Sequence, residues 1–447
     1  MPCNRSTPRE YVKRTLLYSL ERFRVKKSIS GVTKIEQLKL IRERRLQRIL
    51  LAGCSQNADV LTALRLRNRA TQRQLLAFAL CKRNCFSSLK VPYMRSTSKG
   101  PVKEPADFTE LEFREQFRFR KAHFFRILNS LQDDQGRAMM SEEGPITLRY
   151  ARAKDKGKRW KTMRADKALM ILLRQMAAPC RWCDLQLILH GSRTGLSDCF
   201  NYMLSTVHAR YSPITCDIRL WKHHFAHFAA HLASWGCPFD CLVAIFDGHF
   251  QPTCRPGGDA CVYVNLKDYQ TFAGKERLHG VKYQCAVMPN GMAMVWGPWR
   301  GTVHDATAFY QTGVLDALLE VSDELGRDYI GFGDSAYPLH RFMQHILKPH
   351  SVDEPLTRLQ RRYNALMARF RIVVENIFAE CVQCFGFLRD RHNLRLGSMQ
   401  VGKLFPVGIF LYNVRALLYG CQTATYFGQE ECLLSMSVEE YIKLGND

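Results

Sequence analysis

The chain has 447 residues, 46% hydrophobic and 24% charged, with 65 Lys and Arg against 41 Asp and Glu and a net charge of +24. These are the proportions of an ordinary soluble protein with room for two or three domains and a substantial core. No run approaches eighteen consecutive apolar residues, the opening MPCNRSTPREYVKR has no apolar h-region, and seventeen cysteines follow no framework spacing; a membrane span, a secretory signal and an oxidising compartment are therefore not expected.

Residues 1–100 hold 23 basic and 5 acidic side chains, +18 of the total charge. Basic and apolar residues alternate there, as in IEQLKLIRERRLQRILL, at a spacing that predicts amphipathic helices with Arg-rich outer faces. Self-repulsion in such a block is relieved by a polyanion through counterion release, which points to nucleic acid. VPYMRSTSKGPVKEPADF reads as a linker, rich in Pro, Ser and Gly. A helical region follows over 105–235. FREQFRFRKAHFFRILNSL places Phe117, Phe124, Phe125 and Leu128 near one face, and ADKALMILLRQMAAPCRWCDLQLILHG predicts two helices around a Pro-marked turn. A third helix starts with Ser197 as N-cap, and the three together suggest a helix-turn-helix unit.

The texture changes after residue 235. CLVAIF is a buried strand, and VKYQCAVM with MAMVWG reads as a hairpin turning at Pro289-Asn290-Gly291. DATAFYQTGVLDALLEVSDEL is helical, DYIGFG is another buried strand, and a long helix runs from about Leu356 to Phe385. Three strands, a helix, a strand and a helix is the chain order of a ribonuclease-H-like α/β core with a mixed sheet, here over 236–420. Residues 421–447 are set apart as a C-terminal tail.

Four acids take informative places in that order. Asp247 ends the first strand, Asp305 opens the first helix, Asp334 ends the fourth strand, and Glu375 lies in the long helix. Carboxylates gathered at a sheet edge suit a hard divalent cation, which takes a few carboxylates and keeps waters for substrate phosphates. Two such ions can activate a water or 3′-hydroxyl and steady the leaving oxygen of a phosphodiester. Each acid also has a structural reading: Asp334 as a turn-former, Asp305 as a helix cap, Glu375 as a surface partner of Arg371.

The stretch from Asp247 to Phe427 closely resembles the DDE endonuclease domain of PIF/Harbinger-type transposases. The blocks that carry it are FDGHFQPTCRPG, ERLHGVKYQCAVMPNG, WGPWRGTVHDATAF, GDSAYPL, LTRLQRRYNALMARFRIVVENIF and LFPVGIFLYNVRALLYGCQTATYF. The resemblance implies Asp247, Asp305, Asp334 and Glu375 as metal-binding acids, with Mg²⁺ as the expected cation and Mn²⁺ as a substitute. It implies double-stranded DNA as substrate, transposon ends and target alike, and DNA cleavage followed by joining of the 3′-hydroxyl to the target. It further implies a nuclear location, a homo-oligomer and a Myb-like helper protein. Where the family usually has Ile-Asp-Gly-Thr this chain has Phe-Asp-Gly-His at 246–249, and the residues after the glutamate also differ. No carboxylate is lost by either change. A second reading remains open: a domesticated descendant that binds DNA or chromatin without cutting it. A third, a structured RNase acting on RNA hybrids, shares the core but not the family's blocks.

Other signals have plainer readings. Cys180 with Cys183 and Cys381 with Cys384 have zinc-like spacing but sit in apolar helical stretches. His223, His227 and His231 share a helix face and read as partly exposed helix residues more readily than as a metal stripe; His249 and His304 stand beside the acids and read as structural histidines as readily as site groups. RERRLQR and KDKGKRWK fit nuclear import or phosphate contact equally.

Overall fold

Five runs of residues after 240 pair into one twisted sheet, and the pairing explains most of the sequence pattern. The computed structural model describes residues 100–151, 160–255, 272–273, 278–349, 354–391, 393–396 and 399–446. The expected basic arm before residue 100 and most of the KDKGKRWK cluster lie outside the described residues.

The sheet strands are β1 (Leu242–Pro252), β2 (Leu278–Val287), β3 (Ala293–Arg300), β4 (Ile330–Gly333) and β5 (Met343–His345). Their spatial order is β3-β2-β1-β4-β5. The first three are antiparallel neighbours, whereas β1–β4 and β4–β5 are parallel. Phe272–Ala273 adds a short antiparallel pairing at the start of β2. The result is a mixed α/β architecture, and this order and these directions are compatible with a ribonuclease-H-like core. The β2–β3 hairpin turns where expected: Gly291 has φ +84°, and an added Cβ would stand 2.2 Å from Cys421 Sγ. Only glycine meets both demands.

The helices in chain order are α1 (Glu110–Phe117), α2 (Lys121–Ser130), α3 (Ala165–Ala177), α4 (Trp182–Leu189), α5 (Arg193–Tyr211), α6 (Phe225–Ser234), α7 (Asp305–Tyr310), α8 (Val314–Leu325), α9 (Arg358–Cys384) and α10 (Val401–Tyr419). Three short ones follow: α11 (Gln422–Phe427), α12 (Glu430–Leu434) and α13 (Val438–Lys443). The Phe-rich stretch at 113–131 is two helices, because Arg118 adopts the left-handed conformation (φ 68°) and ends α1. Of the residues expected on one face, Phe117, Phe124 and Leu128 are fully buried, with Phe113, and Phe125 is half-buried. The linker expected over 91–108 is packed in its second half, with Val102, Pro105 and Phe108 buried.

The three-helix reading holds in outline but shifts in register. Helix α5 begins after Ser192, whose side chain accepts from Gly195 N at 3.0 Å, and Ser197 lies one turn inside it. A serine one turn further upstream offers the same cap, and the apolar period alone does not choose between them. Helix α3 is buried on nearly every side. A hairpin of Thr147–Ala151 with Trp160–Arg164 lies just before it.

Helix α10 is long and apolar enough to cross a membrane, the one such helix among the described residues, but 78% of its apolar window is buried inside the fold. Its apolarity answers to the core. Asn413, at its middle, donates to Ala293 O at 2.8 Å and accepts from Ala293 N at 2.9 Å, tying α10 to β3. The last residues are folded too: Phe427, Leu433, Tyr441 and Ile442 are buried against the same core.

Candidate active site

Register places the first two acids. Leu242, Ala244 and Ile245 of β1 stand opposite Ile330, Gly331 and Phe332 of β4. Carried two residues further, that parallel register would bring Asp247 level with Asp334, the first residue after β4 ends. Asp247 does not end its strand, as the apolar run suggests; β1 continues to Pro252 by pairing with β2, Asp247 against Cys285 and Pro252 against Gly280. What ends at this level is the other neighbour. Strand β4 stops at Gly333, so Asp247 lies where one edge of β1 is released.

Asp334 begins a tight turn. Its Oδ1 accepts from Ala336 N at 2.9 Å and its carbonyl from Tyr337 N at 3.2 Å, an Asx turn that fixes one carboxylate oxygen. Glu375 comes from α9, which buries Met367, Phe370, Val373, Val374, Ile377 and Cys381. That face fixes the rotation of the helix. Glu375 projects away from it, 57% exposed, and Arg371 Nη2 donates to Glu375 Oε1 at 2.7 Å.

This i,i+4 pair is more than a surface bond, because Arg371 also answers to the two aspartates. Burial opposes its charge, but the Glu375 bond and then Asp247, Glu375 and Asp334 outweigh that and raise its pKa. Asp247 feels the converse. Burial, against the pull of Arg371 and the Gly248 N–H and with repulsion from Asp334 and Glu375, pushes it up to about 6. Asp247, Asp334 and Glu375 therefore share one electrostatic environment with a single guanidinium among them.

Asp305 stands apart. Strand alternation turns Asp247, His249 and Tyr283 to one face of the sheet, and Gly248, Gln284 and Lys282 to the other. Asp305, at the first turn of α7, lies on the Gly248 side: an added Cβ at Gly248 would be 3.4 Å from its Oδ1. Lys282 Nζ donates to that same oxygen at 3.1 Å, and Gln284 Nε2 donates to the Asp305 carbonyl at 3.2 Å. So Asp247, Asp334 and Glu375 all act on Arg371, while Asp305 is ion-paired with Lys282 on the other face of the sheet. Buried Tyr337 links the two sides. Its hydroxyl donates to Gln284, and its phenol is pushed well above its usual range by burial, then by Asp247, Asp334, Cys285 and Asp305.

Gln284, Lys282 and Tyr337 went unread in the sequence. The one available signal is that Lys282 and Gln284 interrupt an apolar strand at i and i+2, hence on one face. Three of the histidines take structural places. His249 stacks on Phe405 at 4.0 Å between ring centres, and burial lowers its pKa to about 4. His227 bonds Gln429 at 2.7 Å and His231 bonds the Phe427 carbonyl at 2.5 Å. His304 precedes α7 without a side-chain cap bond. Cys180 lies before the N-cap of α4 and so does not share a helix face with Cys183. Among the described residues no three His, Cys, Asp or Glu side chains converge on one point as a metal ligand set. The fit of a cation here is one of chemistry: three oxygen donors of hard character and more negative charge than Arg371 offsets.

The raised Asp247 has a consequence for stability. A carboxyl that titrates near 6 when folded, and near about 3.9 when unfolded, binds more proton in the folded state between those values. Its contribution to stability therefore falls as pH rises through that window. In EDTA, the stability gained by Asp247→Asn over the parent should grow from pH 4 to pH 7 in urea titrations. A gain that is constant with pH would place Asp247 outside this environment.

The fold is a mixed α/β sheet with Asp247 and Asp334 near the edge where β4 ends and Glu375 on α9. Residues 251–413 match the family described as DDE superfamily endonuclease, so this stretch of the chain is similar to DDE transposase-type proteins. Asp305, Asp334 and Glu375 fall inside the matched stretch and Asp247 just before it. No curated protein and no solved structure matches the chain.

Proposed function

We propose that the protein is a divalent-metal-dependent DNA endonuclease and transposase of PIF/Harbinger type, with Asp247, Asp334 and Glu375 as the metal-holding triad. The observation that carries this reading is Arg371, which is bonded to Glu375 and lies within the electrostatic reach of Asp247 and Asp334. If all three ionise, two negative charges remain unbalanced, and a hard divalent cation offsets them while keeping sites for phosphate oxygens. Bound there, Mg²⁺ or Mn²⁺, one ion or two, would stabilise charge on the phosphodiester and acidify a water or 3′-hydroxyl.

The chain's own groups do the positioning. The Asx turn holds Asp334, the buried face of α9 aims Glu375, and the β1 register fixes Asp247. Arg371, released from Glu375, is placed to hold a phosphate oxygen. Asp305 acts through Lys282 and Gln284, fixing α7 against the sheet on the far side, and this replaces a direct ligand role for it. Double-stranded DNA is the substrate of this reading. A homo-oligomer, a Myb-like helper and a nuclear location rest on the resemblance alone.

Metal binding is tested by thermal unfolding. Mn²⁺ should raise the midpoint of the parent by several degrees, because it binds the folded state only, and should leave that of Asp247→Asn nearly unchanged. Equal shifts in both proteins would count against the triad. The basic block at 1–100 is read as a phosphate grip. Its deletion should flatten the salt dependence of DNA binding by about 0.9 for each phosphate it neutralises; an unchanged slope would assign the block to another role such as import.

A further inference from the structure

Helix α9 carries a second feature besides Glu375. Arg358, Arg361, Arg362 and Arg369 are all exposed on it, and none forms an ion pair with a described carboxylate. Other exposed arginines, such as Arg120 and Arg149, also lack an ion pair with a described carboxylate, whereas several do have one. Arg126, Arg137, Arg164, Arg181, Arg219, Arg327 and Arg341 each pair with an acid. Between Arg358 and Arg371 the helix holds five arginines and no acid at all. Such a row is self-repelling, and a polyanion would relieve it.

At about 100° per residue, Arg358, Arg362 and Arg369 lie within roughly 40° of one another around the axis, with Arg361 on the flank toward Glu375. At about 1.5 Å per residue the row spans some 16 Å, and Glu375 lies about 9 Å beyond it. The support beneath is rigid. Thr357 and Gln360 form a capping box at the helix start. Asn364 bonds the Leu347 backbone through both its oxygen and its nitrogen at 2.9 Å, and Tyr363 packs edge-on against Phe239 and Phe332. On a braced helix the backbone is already ordered, so only the arginine side chains lose freedom when they meet phosphates.

We infer that Arg358, Arg362 and Arg369 form a phosphate rail that holds the duplex flanking the cut, with Arg361 on its inner edge. Glu375 lies further along the same helix but about 120° around its axis from the rail, so the rail holds the duplex beside the site and not in line with it. These are positioning residues for substrate, and the inference rests on the reading that duplex DNA is that substrate.

The test uses the full chain with Arg358, Arg362 and Arg369 all changed to Gln. Binding to a random-sequence duplex is measured over a range of KCl concentrations, with the melting curve as a check on folding. The slope of log K against log salt should fall by about 2.7, or about 0.9 per phosphate. Changing the same three residues to Lys should restore most of the slope, and Arg341→Gln, whose arginine is paired with Asp328, should leave it at the parental value. In plasmid nicking, KM should rise at least tenfold with kcat nearly kept. A folded triple variant with the parental slope and KM overturns the rail. A slope lost for double-stranded RNA but kept for DNA overturns the choice of DNA. If the parent binds duplex DNA but does not cut it, the nuclease reading fails while the slope still decides the rail.

Discussion

Asp334→Asn is expected to reduce Mg²⁺-dependent DNA cleavage by at least a thousandfold while leaving the fold and duplex binding largely intact. The substitution keeps volume and the oxygen that caps the turn, since an Asn side-chain carbonyl can still accept from Ala336 N. It removes one of three charges that a divalent cation needs at this edge. Loss of such electrostatic stabilisation typically costs about 10²–10³ in rate for a single donor, and a metal ligand serves several transition-state contacts at once. Cleavage measured on supercoiled plasmid, beside the melting curve of the same preparation, separates chemistry from folding. A variant that cuts at the parental rate would remove Asp334 from the site.

Phe246→Ala should destabilise the protein by about 3–5 kcal/mol, the range for deleting a fully buried phenylalanine. Phe246 has no exposed surface and sits one residue before Asp247 in β1. Its ring meets those of Phe309 at 5.5 Å, Trp296 at 6.1 Å and Tyr337 at 6.5 Å, so it joins β1 to β3, to α7 and to the turn after Asp334. Nothing nearby can fill the gap easily, because Gly331 already lies within contact of the ring: a Cβ there would be 2.4 Å from it. Urea unfolding should show the loss as a lower midpoint with an unchanged slope. A change under about 1 kcal/mol would mean that the sheet collapses around the gap without strain.

The sheet was legible where hydrophobicity and turn chemistry agree. CLVAIF and DYIGFG each led to a strand, and Pro289-Asn290-Gly291 to the turn between β2 and β3. The course of β1 beyond Phe246 was not legible. Residues 247–252 are half polar, and only backbone pairing with β2 keeps them extended, which no apolar pattern records. The same blind spot explains Asp305. Its side of the sheet follows from the parity of Gly248 and Gln284 relative to Asp247, and parity needs the register. Arg371 could be read as the partner of Glu375 from their i,i+4 spacing, but its pull on Asp247 and Asp334 appears only once α9 lies over the sheet.

Nicking of supercoiled plasmid by the full chain, in Mg²⁺ and in EDTA, beside the Glu375→Gln variant, tests the central claim most directly. Glu375 is the one triad member supplied by a helix, so its loss leaves the β1–β4 edge undisturbed. The triad predicts nicked circles from the parent in Mg²⁺, none in EDTA, and none from Glu375→Gln although it still binds the plasmid. Nicking that survives EDTA or the substitution would contradict the metal triad, and a parent that binds plasmid yet never nicks it in Mg²⁺ or Mn²⁺ would mark a DNA-binding protein that no longer cuts.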